Sequence, residues 1–282
     1  MVIIRIQGGL GNQLFQYALY ENFRARGIKA KVDLMDYFSG KEKRPYELQK
    51  LGLSPEIMDP GKLHQYYADN QRISDRVCRH TLGRNKYRKE KNYDYEPWVS
   101  DTQDGYLSGY WQNEKYFVET AAALRDKIRF RQADAETVLR YRDKMQAGNS
   151  VSIHIRLGDY EDTSGLYGGI CTVDYYKKAI DYMRGKVDNP VFYVFSDTPG
   201  RVKEVLDDCE YELVTGNQGK QSYLDMYLMS LCRHHIIANS TFGWWGAWLD
   251  GREDKIVVTP SRWNNLCRGH GICCDGWVMC EA

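Results

Sequence analysis

Apolar and polar positions alternate through Val151-Ser-Ile-His-Ile-Arg-Leu157. Val151, Ile153, Ile155 and Leu157 fall on one side, and Ser152, His154 and Arg156 on the other. A period of two predicts a strand, which Gly158 and Asp159 end. The His and Arg therefore share a face near the carboxyl end of the strand, where open α/β sheets bind ligands. Arginine presents a planar fork of donors suited to phosphate oxygens. The plainer alternative is a strand with one solvated face.

The pattern around this strand alternates between periods. Strands are predicted at Val2–Ile6, Lys29–Leu34, Tyr106–Tyr110, Val191–Phe195, Glu212–Val214, His235–Ala238 and Lys255–Thr259. Helices are predicted at Leu14–Arg26, Glu114–Ile128, Val173–Arg184, Arg201–Leu206, Gln221–Cys232 and Gly243–Leu249. Arg24, Arg26 and Gly27 form a cationic last turn and a glycine stop for the first helix. Strand–helix alternation of this kind predicts parallel, doubly wound sheets. The stretch from Met35 to Asp104 shows no clean period. The polar, helical stretch Arg131–Gly148 is read as the boundary between an N-terminal domain, 1–140, and a C-terminal domain, 141–282.

Composition narrows the partners. With 39 Lys+Arg against 38 Asp+Glu, the near-balance gives no reason to expect nucleic acid. No signal-peptide pattern and no run of 18 apolar residues is present, so a cytoplasmic location is expected. The basic run Arg76–Lys91 reads either as a solvated face or as a dock on the inner face of an anionic membrane. Eight cysteines are present. Cys267, Cys273, Cys274 and Cys280 crowd the tail near His270, but their spacing matches no standard zinc pair. Free thiols are expected, and no metal site.

Three segments carry candidate chemistry. Gln7-Gly-Gly-Leu-Gly-Asn-Gln13 joins the first strand to the first helix, and its glycines allow close backbone approach to a ligand. Gly9 and Gly11, with Asp33 downstream, half-match a dinucleotide fingerprint whose third glycine is replaced by Leu14. Ser196 and Asp197 end a buried strand, where they can bind a hydroxyl, orient Arg156 or cap the next helix. Asn239, Ser240 and Thr241 stand between a strand end and a helix start, where free amides can cradle phosphate. Phe242, Trp244, Trp245 and Trp248 read more readily as core than as a sugar platform. Asp225 opens the preceding helix. No acidic metal motif lies on an apolar strand, Asp159-Tyr-Glu161 being the nearest. No strand-elbow-helix places a nucleophile for a Ser/His/Asp triad.

Gly8-Gly-Leu-Gly-Asn-Gln-Leu-Phe-Gln-Tyr-Ala18, His154-Ile-Arg-Leu-Gly-Asp-Tyr160 and Asn239-Ser-Thr-Phe-Gly-Trp-Trp-Gly-Ala-Trp-Leu249 together resemble the α-1,2-fucosyltransferase family over almost the whole chain. The His-x-Arg element is shared with α-1,6- and protein O-fucosyltransferases. The resemblance implies a GT-B-type α/β fold of two Rossmann-like domains with a cleft between them. It also implies GDP-L-fucose as donor, a galactose-terminated glycan as acceptor, inversion of configuration and no metal or other cofactor. By position, Arg156 is expected to hold the diphosphate, and His154 and Asp225 the guanine nucleotide. Ser240 and Thr241, flanked by Asn239 and Phe242, are expected at the phosphates. The loop Gly9, Gly11, Asn12 and Gln13 is expected to close over donor and acceptor, with Ser196 and Asp197 supporting the site. Asp159 is the first choice of general base, ahead of Glu161 and Asp162. Thr241 and Gly243 stand where the family more often has serine. The cysteine-rich tail before Trp277 also departs from the family pattern. A Rossmann-type NAD-dependent oxidoreductase and a non-catalytic GDP-sugar or glycan-binding protein are the alternatives.

Overall fold

The computed structural model describes residues 1–66, 86–158, 165–266 and 270–281. Asp159, Glu161 and Asp162 lie outside the described residues, as do Arg76, Arg79, His80 and Arg84 of the basic run. The chain divides into two compact units, Met1–Arg129 and Phe130–Ala282. The helix over 136–147, within which the boundary expected from sequence falls at 140/141, belongs to the second unit.

The first unit holds a four-stranded parallel sheet of β1 (Val2–Arg5), β2 (Ala30–Asp33), β3 (Tyr87–Lys89) and β4 (Gly105–Ser108), in the order β2-β1-β4-β3. Helix α1 spans Leu10–Ala25 and starts earlier than its apolar pattern suggests. Gln13 is the reason: it is buried and hydrogen-bonded, so a polar residue that reads as loop is helix interior. Gly27 takes the left-handed conformation (φ 74°) that ends the helix. The long helix expected over Glu114–Ile128 is broken into two 3-10 turns and α2 (Ala121–Lys127). The Asn113 side chain accepts from Lys115 N at 3.0 Å and caps the first turn, and Phe117, at φ −149° and ψ 14°, interrupts the rest. Strand β3 lies at the sheet edge with Arg88 and Lys89 exposed, a charge pattern that blunts edges.

The second unit holds α3 (Glu136–Ala147), β5 (Ser150–Ile155), α4 (Val173–Arg184), β6 (Val191–Ser196), β7 (Glu212–Leu213), α5 (Tyr223–Leu231), β8 (His234–Ile236), α6 (Thr241–Leu249), β9 (Val257–Pro260) and β10 (Val278–Cys280). The six strands are all parallel, in the order β10-β9-β8-β5-β6-β7. The chain builds outward from β5 on one side, then returns through β8 on the other. That reversal makes the β5/β8 boundary the switch point, outside whose carboxyl ends doubly wound sheets bind ligands. All six residues of β5 are buried, so the solvated strand face considered from sequence does not exist. Val151, Ile153 and Ile155 pack with Tyr175, Tyr176, Ala179 and Met183 of α4. Ser152 and His154 project to the other covered face, as a parallel sheet with helices on both sides requires. Trp244, Trp245 and Trp248 of α6 are fully buried, with Trp244 and Trp248 stacked, which makes them core. Cys273 and Cys280 are free thiols, and Cys280 closes the edge strand β10.

Candidate functional site at the β5/β8 switch point

Arg156 is the first residue past β5. Its Nε lies 3.2 Å from Asp197 Oδ2, and both side chains keep about a fifth of their surface exposed (21 % each). Asp197 follows β6, the neighbouring strand, and also accepts from Leu157 N at 3.1 Å and Gly158 N at 3.2 Å. One carboxylate thus fixes both the guanidinium and the loop after it. A Cβ at Gly158 would lie 2.9 Å from Asp197 Oδ2, so glycine allows this approach. Ser196 instead accepts from Thr198 N at 3.1 Å and serves its own turn. Of the roles open to the pair from sequence, Asp197 takes the orienting one; the 3-10 helix that follows has Thr198 as its N-cap and no side-chain cap, so the capping role is not taken.

His154 is buried on the face toward α6. Burial pushes its pKa down to about 4, with the nearby Arg156 charge adding to the effect, so the ring is neutral at pH 7. Its backbone carbonyl accepts from Tyr176 OH at 3.1 Å. The ring lies 5.8 Å from that of Phe242, tilted 35°. His154 Nδ1 makes no hydrogen bond among the described residues.

Across from β5, β8 leads through Asn239 and Ser240 into α6. Ser240 is the extended N-cap residue, and its side chain does not cap the helix. The first-turn amides consequently have neither an intrahelical acceptor nor a side-chain one, the condition that makes a helix start an anion site. Thr241 and Phe242 are half-buried beside it. Asn239 is engaged elsewhere, since its Nδ2 donates to Tyr167 O and to Trp263 O, both at 3.1 Å. The amide staples two loops together instead of presenting itself to a ligand. Asp225, in the first turn of α5, accepts from Asn217 Nδ2 at 2.9 Å, and Asn217 Oδ1 accepts from Thr137 Oγ1 at 2.7 Å. Desolvation pushes the Asp225 carboxyl up to about 7. The Asn217 and Thr137 supports are not recognisable from sequence, since nothing in their spacing marks them.

In the first unit, Gly8 takes φ 81° and a Cβ there would meet Asn12 Nδ2 at 2.7 Å. Gly8 N donates to Glu42 Oε2 at 2.8 Å, and Gly8 O accepts from Tyr37 OH at 2.6 Å and Gln13 Nε2 at 2.9 Å. The turn is thus held by the chain's own carboxylate, phenol and amide. Gly9 is the N-cap of α1, whereas Gly11, Asn12 and Gln13 lie in its first turn. The expected loop is therefore shorter, and Gln13 is a buried brace that also accepts from Glu47 N at 2.9 Å.

The glycosyl transferase family 11 model matches residues 1–279. An alpha-1,2-colitosyltransferase of Escherichia coli is 32% identical over 100% of this chain and 99% of its own. The chain belongs to glycosyl transferase family 11. A galactoside alpha-(1,2)-fucosyltransferase 1 of Lagothrix lagotricha is 28% identical over 50% of this chain and 40% of its own. Among solved structures, a mutant of Arabidopsis thaliana FUT1 in complex with GDP covers 93% of this chain and 71% of its own, at 14% identity and a TM-score of 0.51. The fold is accordingly the α/β, GT-B type expected from the motifs.

Two other details of this family 11 glycosyltransferase concern its alternatives. Asp33, the would-be ribose acid, accepts from Tyr106 OH at 2.6 Å and Met35 N at 2.9 Å inside the first unit. Its carboxylate is committed to the fold, which counts against the oxidoreductase reading. Ser152, His235 and Asp250 do line up: Ser152 Oγ lies 2.8 Å from His235 Nδ1, and His235 Nε2 lies 3.0 Å from Asp250 Oδ2. All three are buried, so the array braces β5, β8 and the end of α6 and offers no nucleophile to solvent. Among the described residues no group of three or more His, Cys, Asp or Glu could hold a metal ion. No described helix is long and apolar enough to cross a membrane.

Proposed function

We propose that the enzyme transfers L-fucose from GDP-β-L-fucose to the 2-hydroxyl of a galactose in a glycan, with inversion and without a metal. The observation that carries this reading is Arg156, fixed by Asp197 at the switch point beside the uncapped start of α6. A departing diphosphate gains negative charge as the donor's C1–O bond breaks with oxocarbenium character. A guanidinium and helix amides already in place stabilise that charge without reorganising. The acceptor hydroxyl attacks the opposite face of C1, which inverts the centre, and its proton passes to a base. Neutral His154, under Phe242, and Asp225 bind the guanine nucleotide. Ser240 and Thr241 add hydroxyls at the phosphates.

A second reading, transfer of colitose, is favoured by the 32% identical colitosyltransferase. Assaying GDP release with fucosyl and colitosyl donors over a panel of galactosides, and reading the product linkage by NMR, decides between them. Release only with the colitosyl donor, or a linkage other than α-1,2, replaces the fucosyl reading. Binding without turnover on either donor leaves a GDP-sugar-binding protein.

A further inference from the structure

Three helices of the second unit start at the carboxyl edge of its sheet. Helices α3, α5 and α6 lead into β5, β8 and β9, and all of these strands run parallel. A helix that returns the chain to the amino end of a parallel strand begins where the strands end. Helix α5 packs against both α3 and α6. Thr137 lies in the first turn of α3, Asp225 in the first turn of α5, and Asn217 in the loop from β7 to α5. The three residues therefore gather on the edge that also carries Arg156 and the start of α6.

Gly216 makes their junction possible. It takes φ 103°, which side chains rarely adopt, and a Cβ there would lie 2.7 Å from Thr137 Cγ2. The next residue, Asn217, is 1% exposed. Its Oδ1 accepts from Thr137 Oγ1 at 2.7 Å, and its Nδ2 donates to Asp225 Oδ1 at 2.9 Å. Charge fixes the direction of this chain. An ionised carboxylate only accepts, so it takes the amide N–H and turns the amide oxygen to the Thr137 hydroxyl, which donates. A flipped amide would set two acceptors against each other at Asp225.

The same bond bears on the charge of Asp225. Burial pushes the carboxyl up to about 7, and the Asn217 N–H opposes that by favouring the charged form. No other charged side chain lies on α5 or α6. On α3, Glu136 and Arg140 are exposed, Arg142 pairs with Asp143, and Lys144 pairs with Glu212. Without Asn217, burial favours a neutral carboxyl free to turn. A nucleobase distinguishes the two states. Guanine presents two donors side by side, N1–H and the 2-amino group, which one fixed carboxylate accepts together. Adenine presents an acceptor at N1, which a carboxylate repels, and a site built for donors rejects a ligand that lacks them.

We propose that Asn217, oriented by Thr137, is the positioning residue that makes Asp225 select guanine over adenine. The proposal rests on Asp225 as a guanine contact and deepens that reading by naming what sets its base specificity.

The test titrates GDP and ADP, which share ribose and diphosphate, into the full chain by calorimetry. Asn217→Ala and Thr137→Val should each lower GDP affinity about tenfold, the size of one lost hydrogen bond, and leave ADP affinity within about twofold. Thr137→Ser keeps the hydroxyl and should restore most of what Thr137→Val loses. On an Asp225→Ala background, Asn217→Ala should change GDP affinity by no more than about twofold, because nothing is left to orient. GDP affinity unchanged in Asn217→Ala and Thr137→Val, where Asp225→Ala weakens it, overturns the positioning role. So does an equal loss for GDP and ADP, which makes the network packing only. A Thr137→Ser variant as weak as Thr137→Val also overturns it, since the methyl and not the hydroxyl is then the support. If Asn217→Ala fails to fold, Thr137→Val, which preserves the side-chain shape, carries the same comparison. Asp225→Ala with wild-type GDP affinity is a separate outcome: it overturns the guanine role of Asp225 itself.

Discussion

A β-carbon at Gly243 would lie 2.7 Å from His154 Nδ1 and 3.0 Å from its Cγ. Glycine at the start of α6 thus lets the helix press its backbone onto the imidazole, and the pair joins the two strands that flank the switch point. Gly243→Ala forces the ring or the helix to shift, at a cost of roughly 1–3 kcal/mol for overpacking. GDP affinity should fall about tenfold, a shift within that range, with melting temperature lowered as well. Calorimetry that finds GDP affinity unchanged would show that the ring does not contact the nucleotide.

Arg156→Ala should abolish most turnover while the fold persists. The loss of one strong electrostatic donor in the transition state is about 3–4 kcal/mol, a hundredfold or more in kcat. Arg156→Lys should rescue poorly, since a point charge cannot contact Asp197 and phosphate oxygens with one planar fork. Residual activity above about a tenth of wild type would mean that Arg156 does not stabilise the departing diphosphate.

Activity should survive EDTA. In the proposed function the Arg156 guanidinium and the α6 amides supply the charge that a metal would otherwise bring to the diphosphate. Loss of turnover on chelation, restored by manganese or magnesium, would overturn that account.

Stability should depend on the two buried imidazoles. His154 and His235 are both pushed down to about 4, chiefly by burial. Their folded pKa lies below the unfolded value, so the unfolded chain binds more protons and stability falls as pH drops from about 6.5 towards 4, by roughly 3 kcal/mol per residue at most. Glu90, pushed up to about 7 by desolvation, works in the opposite direction over the same range. Urea unfolding at several pH values should give a shallower acid decline for His235→Asn than for wild type. Parallel declines would show that His235 is already protonated in the fold.

The second unit was largely legible because its strands are continuous apolar runs and its helices are amphipathic, so Val151–Arg156, Val173–Arg184 and Gly243–Leu249 stand close to β5, α4 and α6. Arg156 and His154 were legible for the same reason, since a period of two fixes which residues share a face. Gln13 and Asn239 were harder to place because polar side chains read as ligand-facing until their partners are seen. Both spend their amides on main-chain carbonyls far away in sequence. Thr137 and Asn217 were not legible, because side chains 80 residues apart in the chain leave no period that pairs them.

The Asn239 staple has a consequence for how the enzyme is made. The Asn239 amide bonds to Trp263 O, the core residue Trp244 donates from Nε1 to Ile272 O at 2.7 Å, and β10 pairs with β9 at Val278–Cys280. During synthesis β5 and β8 emerge long before these partners do. A nascent chain therefore carries the His154 and Arg156 motif with its flanking helix unanchored until Trp263, Ile272 and Val278–Cys280 have been made.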